Sequence, residues 1–303
     1  MSGYRKLTTR EMARFVARGY LMYPALTPPE LTERYLAEAA GPGVPEVPAG
    51  TPLLDAYPPG SALHGLITLP EVRGVLDSLV GPAPLVDHHF VHLTLGRPER
   101  EALGMGQALP SQHWHQDSTI DTRAGFDVQL MWFPHEVTPD MGGTRYLPGS
   151  HLRIVSEAAI ARYQNIRGQR HVVCPAGSLL VLHHGIWHGG GSNGGETTRH
   201  MVKIRLHPTV PQVRLWDLSD FAEADRAQRP IFWQRAARPD GDLHDILCEY
   251  QPWYEADTAR LEFINRVRLF RYLLGDETFD ADYWLTRLEF PPERRVETAS
   301  APA

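Results

Sequence analysis

The spacing of apolar residues changes twice along the chain. Up to about residue 80 they recur at helical intervals. From about 80 to 208 they come as short alternating or continuous runs cut by turn residues, and from about 216 to 292 the helical interval returns. Thr8-Thr9-Arg10-Glu11 has the form of a capping box, in which Thr8 and Glu11 satisfy each other's backbone donors. Met12, Phe15 and Val16 then share a face, and Gly19 stops the helix. Residues 20–26 read as a strand. Thr27-Pro28-Pro29-Glu30 opens a second helix with Leu31, Tyr35 and Leu36 on its buried side. Residues 41–60, rich in proline and glycine, read as a long loop near the mouth of a site, and 69–80 as a third helix ended by Gly81-Pro82.

The middle of the chain predicts strands at 85–95, 126–138, 170–174, 178–183 and 200–206. Turns at Gly142-Gly143, Pro148-Gly149 and Pro175-Ala176-Gly177, and a flexible glycine-rich turn at 189–195, separate them. Short strands at this spacing predict a β-sandwich or barrel rather than a parallel sheet. Near the C-terminus Leu261, Ile264, Val267, Phe270, Leu273 and Leu274 form a helical stripe closed by Gly275. Arg260, Arg266, Arg268 and Arg271 fall elsewhere on that helix, which predicts a solvated charged side. Residues 293–303 read as a frayed tail. The expected organisation is one domain over 1–303, with a helical segment at 1–80, a core barrel at about 80–208 and a helical extension at about 216–292.

Composition narrows the classes. A chain of 303 residues, 42% apolar and 22% charged, can bury a substantial core. A net charge of −6 argues against nucleic acid or an anionic membrane as the main partner. No apolar run approaches the roughly 18 residues of a spanning helix, and the first twenty or so lack a signal-peptide core. Cys174 and Cys248 read as two reduced thiols. The expectation is a cytoplasmic protein, monomer or homodimer, acting on a small-molecule substrate.

The candidate chemistry lies in His115-Gln116-Asp117 and in the histidines 183, 184 and 188. On an extended strand His113, His115 and Asp117 project together, with Trp114 and Gln116 on the other side. One imidazole and one carboxylate, joined by a distant second histidine, make a 2-His-1-carboxylate triad that grips Fe(II) by one face and leaves the rest open. Residue types alone leave His183, His184 and His188 as competitors for the distal position. Arg199 offers a planar cation that fits a carboxylate bidentately. Trp132, Phe133, His135 and Trp187 are candidate pocket walls or packing residues.

Four segments carry a family resemblance: Gln112-His113-Trp114-His115-Gln116-Asp117, the stretch from Met141 through Thr144 to Pro148-Gly149-Ser150-His151, Pro175-Ala176-Gly177-Ser178, and Trp187-His188-Gly189-Gly190-Gly191-Ser192-Asn193 through Arg199. They resemble the phytanoyl-CoA dioxygenase (PhyH)-like branch of Fe(II)/2-oxoglutarate oxygenases. The resemblance implies a double-stranded β-helix, a jelly-roll, cupin-like barrel flanked by helices. It implies iron held by His115, Asp117 and His188, and 2-oxoglutarate held by Arg199 with Gln112 and Thr144. His183 and His184 are left as supporting or wall residues, and Ser150 and His151 as parts of a turn. The implied reaction uses Fe(II), 2-oxoglutarate and O2 to hydroxylate an unactivated C–H bond, releasing succinate and CO2. Asp117 argues against halogenation, because halogenating relatives lack that carboxylate; desaturation, epoxidation and ring formation stay open. Two other readings compete: a different metal cupin enzyme, oxygenase or isomerase, built on His113 and His115, and an inactive barrel that only binds.

Overall fold

The computed structural model describes residues 4–41, 46–117, 123–225, 243–255 and 259–279. The end of the expected C-terminal extension and the expected tail lie outside them. The strands are β1 (Tyr20–Tyr23), β2 (Thr51–Pro52), β3 (Leu85–Thr94), β4 (Val128–Phe133), β5 (Arg145–Tyr146), β6 (Arg170–His171), β7 (Ser178–His183), β8 (His188–Gly189) and β9 (Arg199–His207). They form a six-stranded antiparallel sheet, β1-β7-β4-β9-β3-β2, and a three-stranded one, β6-β5-β8. This is the jelly-roll class that the sequence led us to expect. The helices are α1 (Thr9–Arg18), α2 (Pro29–Ala39), α3 (Ala62–Thr68), α4 (Pro70–Leu79), α5 (Arg97–Ala102), α6 (Glu157–Ala161), α7 (Phe221–Ala224), α8 (Leu243–Leu247) and α9 (Ala259–Leu274).

The large sheet is covered on both faces, which explains why its central strands read as continuous apolar runs. Val128, Leu130 and Trp132 of β4 point outward into a core shared with Phe15 and Val16 of α1, Leu76 of α4 and Phe270 of α9. Met131 and Phe133, on the opposite face, pack with Val137, Met141, Tyr146 and Val172 between the two sheets. β9 divides the same way: Val202, Ile204 and Leu206 enter the outer core, whereas Arg199, Met201 and Lys203 face the space between the sheets. Each fully buried large aliphatic side chain in these layers contributes roughly 1.5–3 kcal/mol relative to exposure.

α1 forms as the capping box predicts. Glu11 N–H donates to Thr8 Oγ1 at 3.2 Å and Thr8 N–H to Glu11 Oε2 at 2.8 Å. Gly19 ends the helix at φ 77°, and a Cβ there would lie 2.5 Å from His151 Nδ1, so the chain turns into β1 where only glycine fits.

Several expectations need correction. Leu36 is 39% exposed although Leu31 and Tyr35 are buried, because one further residue turns about 100° away from the contact face. The described residues of the 41–60 stretch are not a loop at a site mouth. Where described, they supply β2, which pairs with the start of β3, and they bury Leu53 and Tyr57 in the outer core. α3, capped by Ser61, was not foreseen. The glycine-rich turn after β8 is packed rather than loose: a Cβ on Gly142 would stand 1.9 Å from Ser192 O, and one on Gly191 2.5 Å from Gly142 O. On α9 Leu261 is 60% exposed, and Arg266, placed on the solvated side, is 1% exposed. Its Nη1 donates to Leu247 O and Glu249 O, and its Nη2 to the Tyr254 hydroxyl. Those acceptors satisfy a buried guanidinium that helical periodicity alone would turn outward. Cys174 and Cys248 are both buried. Among the described residues no helix is long and apolar enough to cross a membrane.

Candidate active site

Residues 111–117 do not form a regular strand. They touch β8 through one bridge, in which His115 N–H donates to His188 O and His188 N–H to His115 O, both at 3.0 Å. The bridge sets the two imidazoles side by side, with ring centroids 4.4 Å apart. Each ring is then oriented by a carbonyl. His115 Nδ1 lies 3.0 Å from His113 O, and His188 Nδ1 lies 3.0 Å from Ile186 O. A carbonyl only accepts, so each Nδ1 carries the proton and each Nε2 presents a lone pair. Asp117 Oδ1 stands 3.7 Å from both Nε2 atoms. Among the described residues this is the one group of three metal-ligand side chains whose donor atoms converge, all within 4.8 Å of one another. Two nitrogens and one oxygen on one face suit a divalent iron.

Lys203, which sequence reading missed, completes this corner. Its Nζ lies 2.6 Å from Asp117 Oδ2, which leaves Oδ1 turned toward the histidines. Burial alone would raise the Asp117 carboxyl; the neighbouring His188 and the Lys203 ammonium that hydrogen-bonds it outweigh burial and hold the group well below the usual carboxylate range. Burial pushes His188 down to about 3, so its ring is neutral and available as a ligand. The signal for Lys203 was present: it lies four residues after Arg199, on the same face of a strand.

A cavity of about 370 Å³ opens beside this corner and is lined by His115, His188, Gln112, Thr144, Arg199 and Lys203, among others. Arg199 is 3% exposed. Its Nη2 donates to Thr94 Oγ1 at 2.8 Å and its Nη1 to Gly142 O, while Nε has no hydrogen-bond partner. No carboxylate lies within ion-pair distance among the described residues. Burial lowers its pKa to about 10. A buried guanidinium without a counter-ion is costly, and a carboxylate arriving in the cavity would relieve that cost. Gln112 Oε1 accepts from Gly190 N–H at 3.0 Å, and Gln112 N–H donates to Gly190 O at 2.9 Å. Strict strand alternation would have turned Gln112 from the His115 face; because the segment is irregular, it reaches the cavity. Thr144, 2% exposed, also lines it.

Other candidates lie elsewhere. His113 is exposed and outside the converging group, so the paired use of His113 and His115 finds no support. His183 is fully buried between Phe126 and His151, with Nδ1 accepting from Gly185 N–H. His184 supports the corner through its carbonyl, which accepts from Asp117 N–H at 3.3 Å. Trp132 packs in the outer core, Phe133 between the sheets, and Trp187 with Trp114 and Leu147. His135 Nε2 accepts from His200 N–H. None of these four candidate walls lines the cavity.

Fold and site together define a jelly-roll protein in which two nitrogens and one oxygen that could hold a metal ion converge near a buried arginine in one cavity. Residues 58–201 match the phytanoyl-CoA dioxygenase (PhyH) family model, a span that includes all four motif segments. Solved structures are similar to the chain. EctD from S. alaskensis, determined with 2-oxoglutarate and 5-hydroxyectoine, is 15% identical over 70% of this chain and 79% of its own, with a TM-score of 0.50. The non-heme alpha ketoglutarate dependent carbocyclase SnoK, from nogalamycin biosynthesis, is 15% identical over 73% of this chain and 91% of its own, at 0.49. The epimerase SnoN, from the same biosynthesis, is 19% identical over 65% and 81%, at 0.46. No curated protein matches the sequence.

Proposed function

We propose that this chain is an Fe(II)- and 2-oxoglutarate-dependent dioxygenase that hydroxylates an unactivated C–H bond of a small molecule, with release of succinate and CO2. The observation that carries the reading is the convergence of His115 Nε2, His188 Nε2 and Asp117 Oδ1 beside the unpaired, buried Arg199 in one cavity. In this reading His115, Asp117 and His188 hold the metal. Arg199 clamps the far carboxylate of 2-oxoglutarate, and Thr144 and Gln112 close the same pocket. When bound, the metal and co-substrate supply the oxidising power, by coupling oxidative decarboxylation to activation of O2.

The chain's own residues do the rest. The carbonyls of His113 and Ile186 fix both imidazole tautomers, and Lys203 fixes the carboxylate. Arg199 is held in advance by Thr94 and Gly142, so it loses little freedom when it receives a carboxylate. Met131 and Met201 provide an apolar wall that excludes water from the reacting centre. The shared outer core of N-terminal helices, barrel strands and α9 supports reading the chain as one domain. The test is release of succinate from 2-oxoglutarate by purified protein with Fe(II), O2 and candidate substrates. Dependence on all three, and its loss in His188→Ala and Asp117→Ala, is expected; full turnover by either variant would overturn the metal assignment.

A further inference from the structure

A second arginine lines the same cavity without an anion. Arg100 lies on α5, immediately after β3, and is 7% exposed. Its Nη1 donates to Leu95 O and Asn193 O, both at 2.8 Å, and its Nε has no hydrogen-bond partner. Among the described residues neither Nε nor Nη2 meets a carboxylate. Arg97, on the same short helix, does have its acid: it pairs with Glu196 at the surface. The frame that holds Arg100 also holds Arg199. Asn193, whose carbonyl accepts from Arg100, donates its amide to Thr94 O, and the Thr94 hydroxyl accepts from Arg199. Two buried guanidiniums are thus fixed in one wall.

The charges do not balance when the proposed co-substrate is added. 2-Oxoglutarate brings two carboxylates, one directed to the metal and one to Arg199. Asp117 is already joined to Lys203. No other acidic side chain lines the cavity among the described residues. Arg100 is left as a cation in a low-dielectric wall, a position that selects for an anion. Beside it the lining is apolar: Leu95, Met105, Leu109 and Pro110. The cavity is small, about 370 Å³ to be shared with the metal and co-substrate.

We propose that Arg100 anchors an oxyanion, a carboxylate or a phosphate, carried by a small substrate whose carbon body lies against Leu95, Met105 and Leu109. The proposal rests on the oxygenase reading for its second occupant, 2-oxoglutarate, but Arg100 can be tested separately. The experiment is calorimetric titration of acetate and of inorganic phosphate into the chain loaded with Ni(II) and 2-oxoglutarate, for wild type, Arg100→Gln and Arg100→Lys. Loading is checked first by titrating 2-oxoglutarate itself. Saturable binding of at least one of the two anions is expected in wild type, about tenfold or more weaker in Arg100→Gln and partly restored in Arg100→Lys, with 2-oxoglutarate affinity unchanged. The anion that responds identifies the chemistry. Equal anion affinity in wild type and Arg100→Gln, or no saturable anion binding in wild type, overturns the proposal. So does loss of 2-oxoglutarate binding in both variants, which would place Arg100 in the co-substrate site. If wild type takes up neither Ni(II) nor 2-oxoglutarate, the oxygenase reading falls. The same titrations on the metal-free chain would then read the Arg100 site by the difference between wild type and Arg100→Gln.

Discussion

The two faces of the six-stranded sheet are built by one set of strands and do opposite work. On the outer face β4 and β9 present Val128, Leu130, Val202 and Ile204 to helices, each 1% exposed or less. On the inner face the same β9 presents Arg199 and Lys203, 3% and 7% exposed, to a cavity. Both faces are buried, yet one is dry and self-satisfied while the other holds charges that its neighbours satisfy only in part. Burial alone therefore does not mark a core. The outer face supplies stability, and the inner face spends some of it on groups poised for ligands. Two-residue alternation along β9 is what allows a single strand to do both.

If this division holds, inner-face changes should remove ligands without unfolding the chain. Asp117→Ala and His188→Ala are expected to have the largest effect. Metal affinity should fall by more than the roughly 10- to 100-fold that loss of a mere supporting residue costs, with the thermal midpoint of the metal-free protein kept. Metal competition assays and melting curves check this, and unfolding of either variant would break the comparison. The converse is Leu130→Ala on the outer face. It should cost about 2–5 kcal/mol in denaturant unfolding while the fraction that stays folded binds metal normally. Arg199→Gln should weaken 2-oxoglutarate by about 1.5–3 kcal/mol, the value of a charge-assisted hydrogen bond, and leave metal affinity unchanged, as calorimetry would show.

Lys203→Met tests a finer point. It frees Asp117 Oδ2 but keeps an apolar wall, so metal affinity should drop about 10- to 100-fold; an unchanged affinity would remove Lys203 from the account. The last test concerns pH. His183, the last residue of β7, and His151 pack against α1, and burial pushes both down, His151 to about 3. Both are neutral in the fold, whereas the unfolded chain takes up protons below about 6.5. Their contribution is therefore complete above that pH and is lost as pH falls below about 6.5, for His151 down toward about 3. The slope is up to about 1.4 kcal/mol per pH unit for each histidine. Unfolding free energies of the metal-free chain across that window measure it, and a flat profile would show that the pair is solvated.

The same two faces account for what could be read from the sequence. Local devices were legible because their cause is local: the Thr8–Glu11 box and Gly19 bound α1, and Pro175-Ala176-Gly177 starts β7. Of the candidate metal-ligand corner, His115 and Asp117 were legible as a His-x-Asp pair, whereas His188 was separated from His183 and His184 only by the family resemblance. What escaped depends on contacts between distant segments. Arg266 is buried because Leu247 O, Glu249 O and the Tyr254 hydroxyl receive it, and no helical period encodes that. His113 leaves the His115 face because residues 111–117 are held by single contacts to β8 and the loop after it rather than by a ladder. Gln112 reaches the cavity for the same reason. Arg100 gave no sign, since its environment is made by Leu95 and by Asn193, ninety-three residues away.

The central claim is that the inner face binds metal first and 2-oxoglutarate through it. Equilibrium titration of 2-oxoglutarate into the anaerobic, Fe(II)-loaded chain tests it most directly. The account predicts about one equivalent bound, dependent on the metal and lost in His188→Ala; binding of equal strength without metal, or in that variant, would contradict it.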